Sequence, residues 1–337
     1  MNRKLLSKDA LVFNANFFKG YAPKVCAVVK ANAYGHGVKE VALTLKGHVD
    51  MFAVSSLEEA EELYKIVPDE KILILSKCSN FEVLDKFYLT LTSISDVKKA
   101  IKMGKTQRCF IKLCTGMNRF GIDCNNENLL KTLKNLIKNH DFAGFSAHFS
   151  STSSKKITNV EYENFLRARA YLERPFPICF GGSGAKNLPC DILRAGLGLY
   201  GYGDKRLQKV MSLEGKVLQM RSLEKGECAG YDHTFKAKRR TTLAIVSVGY
   251  ADGFSREKSK NMKVTICGKK YPIVGNLCMD AAFVDVTGGT IKVGDRVLLF
   301  NDAEATGKIY NMCTYEVLTS FNSFRGVTKL TSSNNFD

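Results

Sequence analysis

The chain reads as α/β plus β: an N-terminal (β/α)8 TIM-like barrel followed by a C-terminal, mostly antiparallel β domain. Three observations predict this. Short apolar, β-rich runs recur eight times between residues 25 and 199. Helical-looking segments separate most of them, and strands alternating with helices imply parallel pairing that eight repeats can close. After about residue 210 the pattern changes to strand-like runs joined by Gly- and Asp-containing turns. The expected division is 1–210 for the barrel and 211–337 for the β domain, and 337 residues are enough for a large domain plus a smaller one.

The eight runs are Val25–Lys30, Met51–Ser55, Ile72–Ser76, Leu89–Ser93, Cys109–Cys114, Phe142–His148, Phe176–Gly182 and Ile192–Leu199. Between them, Val38–Lys46 and Leu57–Ile66 carry apolar residues on one face, and Glu127–Asn139 and Val160–Leu172 are the longest helical stretches. The seventh connection has room only for a stub of helix near Gly184–Asn187. In the second part, Thr242–Val248, Lys263–Cys267, Ala282–Val286 and Arg296–Phe300 are strand-like. Gly268-Lys-Lys270, Thr287-Gly-Gly289 and Val293-Gly-Asp295 punctuate them as turns. The tail from Thr331 to Asn335 is expected to fray.

Composition narrows the function classes. No apolar stretch approaches the roughly 18–20 residues that span a bilayer, so no membrane span is expected. The N-terminus has no long apolar segment after its basic start and reads as mature sequence. Eleven scattered cysteines, without Cys-x-x-Cys pairs or zinc spacing, imply reduced thiols in a cytoplasm and no metal site. Cys26, Cys109 and Cys267 sit in apolar runs and read as small core residues. The net charge of +17 raises nucleic-acid binding, but only Lys236-Ala-Lys-Arg-Arg240 is a dense cluster and no nucleic-acid-binding motif accompanies it. A basic surface that attracts an anionic ligand fits better, with no nucleic-acid partner.

Barrel active sites gather where the strands end. The run ends supply Lys30 with Tyr34, Arg119 just past the fifth run, His148, Ser183, and Arg194 with Gly196. Each has a plainer reading: a solvated lysine, a structural histidine, surface arginines, a Gly-Ser-Gly turn. Their joint placement at one mouth carries the weight. A partly desolvated lysine can form a Schiff base. Gly181-Gly-Ser-Gly184 and Arg194-Ala-Gly-Leu-Gly198 offer backbone N–H groups where barrels often bind phosphate. A Schiff-base lysine beside a phosphate cradle argues for pyridoxal 5'-phosphate.

The chain resembles the alanine racemase family from about Val25 to Arg325. Ala27-Val-Val-Lys-Ala-Asn-Ala-Tyr-Gly-His-Gly37 is similar to the family's cofactor-lysine segment, and Thr115-Gly-Met-Asn-Arg-Phe-Gly121 to its arginine segment. Arg194-Ala-Gly-Leu-Gly-Leu-Tyr-Gly201 resembles its last phosphate-binding strand. Val248-Gly-Tyr-Ala-Asp-Gly253 and Gly275-Asn-Leu-Cys-Met-Asp280 resemble two signatures of its C-terminal domain. The resemblance implies a cytoplasmic homodimer with shared active sites. Its activity would be interconversion of L- and D-alanine, supplying D-alanine for peptidoglycan in the cell wall.

It also implies roles. Lys30 would hold the cofactor and act as one base. Tyr231, in Gly230-Tyr-Asp-His-Thr-Phe235, would be the second base, reaching the partner's site. Arg194 would face the pyridine nitrogen, and His148 would hold the arginine–tyrosine network. Tyr34, Ser183, Gly196, Leu197 and Tyr315 match phosphate-binding positions. Arg119 would touch the cofactor's phenolic oxygen and the substrate. Met279, from the partner, would bind the substrate carboxylate through its backbone N–H, and Tyr250 would line the entrance. Lys112 stands where many members carry a carbamylated lysine. Two bases on opposite sides of a flat intermediate are what racemisation requires. An unperturbed tyrosine has a pKa near 10, so Tyr231 needs a lowered value or an alkaline optimum.

The chain departs from the family pattern at Cys114, Gly182 and Ala195, and in His148-Phe-Ser-Ser-Thr152; none of these removes a catalytic group. A serine or broad-specificity racemase shares the fold. A non-catalytic cofactor carrier would lack the β domain, and a related decarboxylase would carry a different cysteine and phosphate-loop pattern.

Overall fold

The computed structural model describes residues 1–151 and 154–332. Thr152 of the His148 motif, and the part of the tail beyond Ser332, lie outside them. The chain divides into two compact units. One comprises Leu11–Ala33 and Val38–Gln208. The other comprises Met1–Ala10, Tyr34–Gly37 and the chain from Lys209 on.

In the first unit, eight parallel strands close into a barrel. They are Lys24–Val28, Met51–Val54, Ile72–Ile74, Tyr88–Leu91, Cys109–Cys114, Gly144–His148, Ile178–Gly181 and Ile192–Ala195. Each pairs with the next, and Ile192–Ala195 returns to Lys24–Val28. Their residues are buried almost throughout, as parallel strands covered on both faces must be. Helices begin where a polar side chain accepts an orphan backbone N–H. Ser56 starts Leu57–Ile66, Ser93 starts Ile94–Lys102, and Asn126 starts Glu127–Ile137. Ser154 does the same for Lys155–Leu172, which is why that helix begins before Val160. The eighth run is strand only to Ala195; Leu197–Tyr200 is a 3-10 turn. The stub in the seventh connection is the 3-10 turn Ser183–Ala185.

The second unit is built on an eight-stranded sheet. Its longest member, Met211–Leu223, pairs antiparallel with Arg3–Ser7, Arg296–Phe300 and Thr241–Val246. Residues from the extreme N-terminus thus complete the C-terminal sheet. Arg3–Ser7 also pairs parallel with Val327–Thr331, so Thr331, expected to fray, is part of a strand. Two helices, Ala303–Tyr310 and Thr314–Ser320, interrupt the β pattern. Strands Lys263–Ile266 and Lys269–Val274 form a hairpin whose two linking residues, Cys267 and Gly268, both have positive φ (47° and 74°). This corrects one expectation. Cys26 and Cys109 are buried, but Cys267 is exposed because it occupies the turn and not the strand. All eleven cysteines are free. Among the described residues no helix is long and apolar enough to cross a membrane, and no group of His, Cys, Asp and Glu could hold a metal ion.

Candidate active site

The first barrel strand ends at Val28, and Lys30 opens a single left-handed helical turn, Lys30–Tyr34. Ala31, Asn32, Ala33 and Tyr34 all have φ of 52–53°. For non-glycine residues each such conformation costs on the order of 1–3 kcal/mol. Side chains and backbone hold it in place. Glu59 accepts the Ala31 N–H at 2.7 Å through one oxygen and the Ser55 N–H at 2.6 Å through the other. The Ala33 N–H donates to the Val29 carbonyl at 2.9 Å, and Asn32 Oδ1 accepts the Val38 N–H at 2.7 Å. The turn fixes where the Lys30 side chain leaves the strand.

Lys30 lies among other cations. Burial, followed by the Arg119 guanidinium, lowers its pKa, while Glu59 opposes the shift. Lys112, on the strand Cys109–Cys114, is lowered to about 8 by burial and then by Arg194 and Arg119. His148, at the end of Gly144–His148, is lowered to about 3 by burial and then by Arg194, Lys112, Arg119 and Lys30. It is a neutral imidazole at physiological pH. The structure therefore brings Lys30, Lys112, Arg119, His148 and Arg194 within electrostatic reach of one another at one end of the barrel.

Arg194 is buried and held by neutral acceptors. Its guanidinium donates to the carbonyl of Cys179 at 2.8 Å, to Cys179 Sγ at 3.0 Å and to the carbonyl of Ala147 at 2.7 Å. Gly181 makes room for it: a Cβ there would collide with both the guanidinium and His148 Nδ1. Next to this lie the two glycine-rich segments at which the sequence expects an anion. Ser183 Oγ accepts the N–H of Gly196 at 3.2 Å and of Gly198 at 2.9 Å. A Cβ on Gly198 would strike the Phe18 ring and Ser183 Cβ, so the backbone approaches closely there. Leu197 opens the 3-10 turn between them.

These residues fit pyridoxal 5'-phosphate. Lys112 and Arg194 are buried, Arg194 on neutral acceptors alone, and with Lys30 and Arg119 beside them they leave an excess of positive charge, offset only by Glu59 at Lys30, that calls for a polyanion. A hydroxyl clustered with backbone N–H groups suits phosphate, and an amine with lowered pKa suits a carbonyl.

The remaining expected residues lie in the second unit. The Tyr34 and Tyr315 rings pack at 5.9 Å, tilted by 43°, with Tyr34 buried. Tyr231 is 65% exposed, Met279 52% and Tyr250 40%. Tyr231 sits at the tip between the short paired strands Cys228–Ala229 and Phe235–Lys236. That tip is tied to the Gly275–Asp280 segment by the Asn276 N–H, which donates to Thr234 Oγ1 at 3.1 Å. Sequence reasoning passed over Glu59, Cys179, Asp252 and Arg325. Asp252 stands inside the Val248–Gly253 motif and could have been found there. The others carry no local signal.

Comparisons with known proteins agree on one family. Residues 6–204 match the family model described as alanine racemase, N-terminal domain, and residues 210–326 the one described as alanine racemase, C-terminal domain. An alanine racemase of Thermodesulfovibrio yellowstonii is 33% identical over 323 residues, covering 88% of this chain and 87% of that protein. The solved structure of alanine racemase from Acinetobacter baumannii superposes with a TM-score of 0.88 at 27% identity, covering 98% and 99% of the two chains. That from Bartonella henselae, solved with covalently bound pyridoxal phosphate, gives 0.88 at 30% identity and the same coverage. This chain belongs to the alanine racemase family of amino-acid-racemising enzymes.

Proposed function

We propose that this chain interconverts L-alanine and D-alanine with pyridoxal 5'-phosphate, as a cytoplasmic homodimer with shared sites, by a two-base mechanism that supplies D-alanine for peptidoglycan. The observation that carries this reading is Lys30. It opens a left-handed turn held by hydrogen bonds, with a lowered pKa, amid Lys112, Arg119 and Arg194.

Lys30 Nζ holds the cofactor covalently. When bound, pyridoxal phosphate supplies an electron-withdrawing ring that acidifies the substrate's Cα–H. The Tyr34 hydroxyl, Ser183, the N–H groups of Gly196 and Leu197, and Tyr315 would hold the phosphate. The permanently charged Arg194 would face the ring nitrogen and would leave it unprotonated, which favours proton return over side reactions. Once the substrate's own amine has displaced it from the cofactor, the freed Lys30 Nζ would take or return a proton on one face of Cα. Tyr231 Oη, from the partner subunit, would do so on the other. Its exposure in the single chain leaves it available for that partner. A neutral His148 accepts a hydrogen bond from one side of this network and donates on the other. Arg119 would touch the cofactor's phenolic oxygen and the substrate, Met279 from the partner subunit would bind the substrate carboxylate through its backbone N–H, and Tyr250 would line the entrance. With a pKa of about 8, Lys112 has an appreciable neutral fraction near physiological pH. That fraction can add carbon dioxide, and the resulting carbamate would offset the local excess of cations and orient Arg119. The barrel unit, Leu11–Ala33 with Val38–Gln208, supplies most of the cofactor's ligands, and the loops of the β unit after residue 210 complete the partner's site.

The test is circular dichroism of L-alanine incubated with the protein and pyridoxal phosphate, with L-serine alongside. Decay of the alanine signal to zero, much faster than serine, is the expected result. A flat alanine trace with cofactor bound would sink the proposal.

A further inference from the structure

Arg325 belongs to none of the roles given above, yet its side chain joins two of the loops that carry them. Its Nε and Nη2 donate to the two carboxylate oxygens of Asp252, each at 3.0 Å, and its backbone N–H donates to Asp252 Oδ1 at 3.2 Å. Its Nη1 donates to Asp280 Oδ1 at 2.5 Å. Asp252 is 1% exposed and also accepts the Gly249 N–H at 3.0 Å, which braces the turn Tyr250–Asp252. Asp280 directly follows Met279. The two loops also touch through backbone. The Tyr250 N–H donates to the Cys278 carbonyl at 3.1 Å and the Ala251 N–H to the Met279 carbonyl at 3.2 Å. A Cβ on Gly249 would collide with the Met279 carbonyl.

A planar guanidinium that grips one carboxylate with two N–H groups, and a second carboxylate with another, fixes orientation as well as distance. Met279 and Tyr250 are themselves exposed, so their own side chains do little to fix the loops.

We propose that Arg325 is a positioning residue for substrate binding. By clamping Asp252 and Asp280 together, it sets where the Met279 backbone N–H is presented to the substrate carboxylate. This rests on the reading of Met279 given above.

Three variants of the holoenzyme test it: Asp280→Asn, Arg325→Lys and Arg325→Ala. Steady-state kinetics are run in both directions, with melting temperature and cofactor absorbance measured on the same samples. Asp280→Asn loosens one arm and leaves the Asp252 pair intact. It raises KM for both alanine enantiomers about 5-fold with kcat within about twofold, the signature of lost uniform binding. Melting temperature and absorbance stay unchanged. Arg325→Lys keeps the charge but not the fork, and raises KM about 10-fold by the same criterion. Arg325→Ala raises it further; if it does not fold because Asp252 is left unpaired, the other two decide. Unchanged KM in both Asp280→Asn and Arg325→Lys, or a fall in kcat at constant KM, overturns the proposal. Met279→Pro deletes the N–H itself. If it alone raises KM, the reading of Met279 stands and the clamp fails. If it leaves KM unchanged, both fail.

Discussion

The barrel end and the exposed loops of the β unit handle charge in opposite ways. At the barrel end, burial and then Arg119 lower the proton affinity of Lys30, burial and then Arg194 and Arg119 lower that of Lys112, and Arg194 itself is held by carbonyls and a thiol. In the β unit, Arg325 is matched to Asp252 and Asp280, and Arg256 lies 3.4 Å from Asp232. The first arrangement is costly without an anion and keeps its positive field for a ligand. The second satisfies its charges internally and spends them on loop geometry, leaving Tyr231, Tyr250 and Met279 exposed. Buried, unmatched charge marks where a ligand is held; matched charge marks where a loop is held.

The largest expected effects come from the two proposed bases, Lys30 at the barrel end and Tyr231 in the β unit. Lys30→Ala should lose more than ~10³-fold in racemisation together with the visible absorbance of lysine-bound cofactor. Absorbance that persists would place the cofactor's attachment elsewhere. Tyr231→Phe should slow proton exchange ~10²- to 10⁴-fold for one enantiomer and far less for the other. Equal, mild losses would remove it as a base. Mixing Lys30→Ala with Tyr231→Phe chains should restore part of the activity. No recovery after demonstrated subunit exchange would mean that each site is built by one chain.

Gly181→Ala should cost about 1–3 kcal/mol of stability and weaken cofactor retention, because its Cβ meets both Arg194 and His148. A variant that melts like the parent and keeps its cofactor would show that the two side chains are not locked. The smallest effect is on pH dependence. Burial, then Arg194, holds His148 at about 3, against its ordinary 6.5. Between those values the unfolded chain binds a proton that the folded chain does not. The neutral imidazole's contribution to stability is therefore complete above about pH 6.5 and is lost as pH falls toward 3. In cofactor-free protein, His148→Asn should flatten that part of the stability profile. An unchanged profile would mean that His148 is not kept neutral.

The barrel was legible because parallel strands covered on both faces must be apolar throughout, so runs such as Cys109–Cys114 stand out without any partner in view. The residues at their ends follow from the fold itself, since strand ends gather at one mouth. The sheet of the second unit was less legible. Met211–Leu223 mixes buried and exposed positions and shifts register between Val217 and Gln219, which blurs the alternation. Helices Ala303–Tyr310 and Thr314–Ser320 were hidden by the surrounding β pattern.

What the sequence determined alone is periodic or covalent: eight strands, their order, a lysine at the end of the first, glycines beside a serine, and the Gly- and Asp-containing turns of the second part. What only the tertiary structure decided depends on contacts remote in sequence. Arg3–Ser7 joins a sheet more than two hundred residues away. Ala31-Asn-Ala-Tyr34 takes a left-handed turn that no local preference favours, because Glu59 captures its N–H. Arg325 meets Asp252 across 73 positions. Local propensity is set by neighbours a few residues apart, whereas the burial and pairing that override it are set by whatever the fold brings alongside.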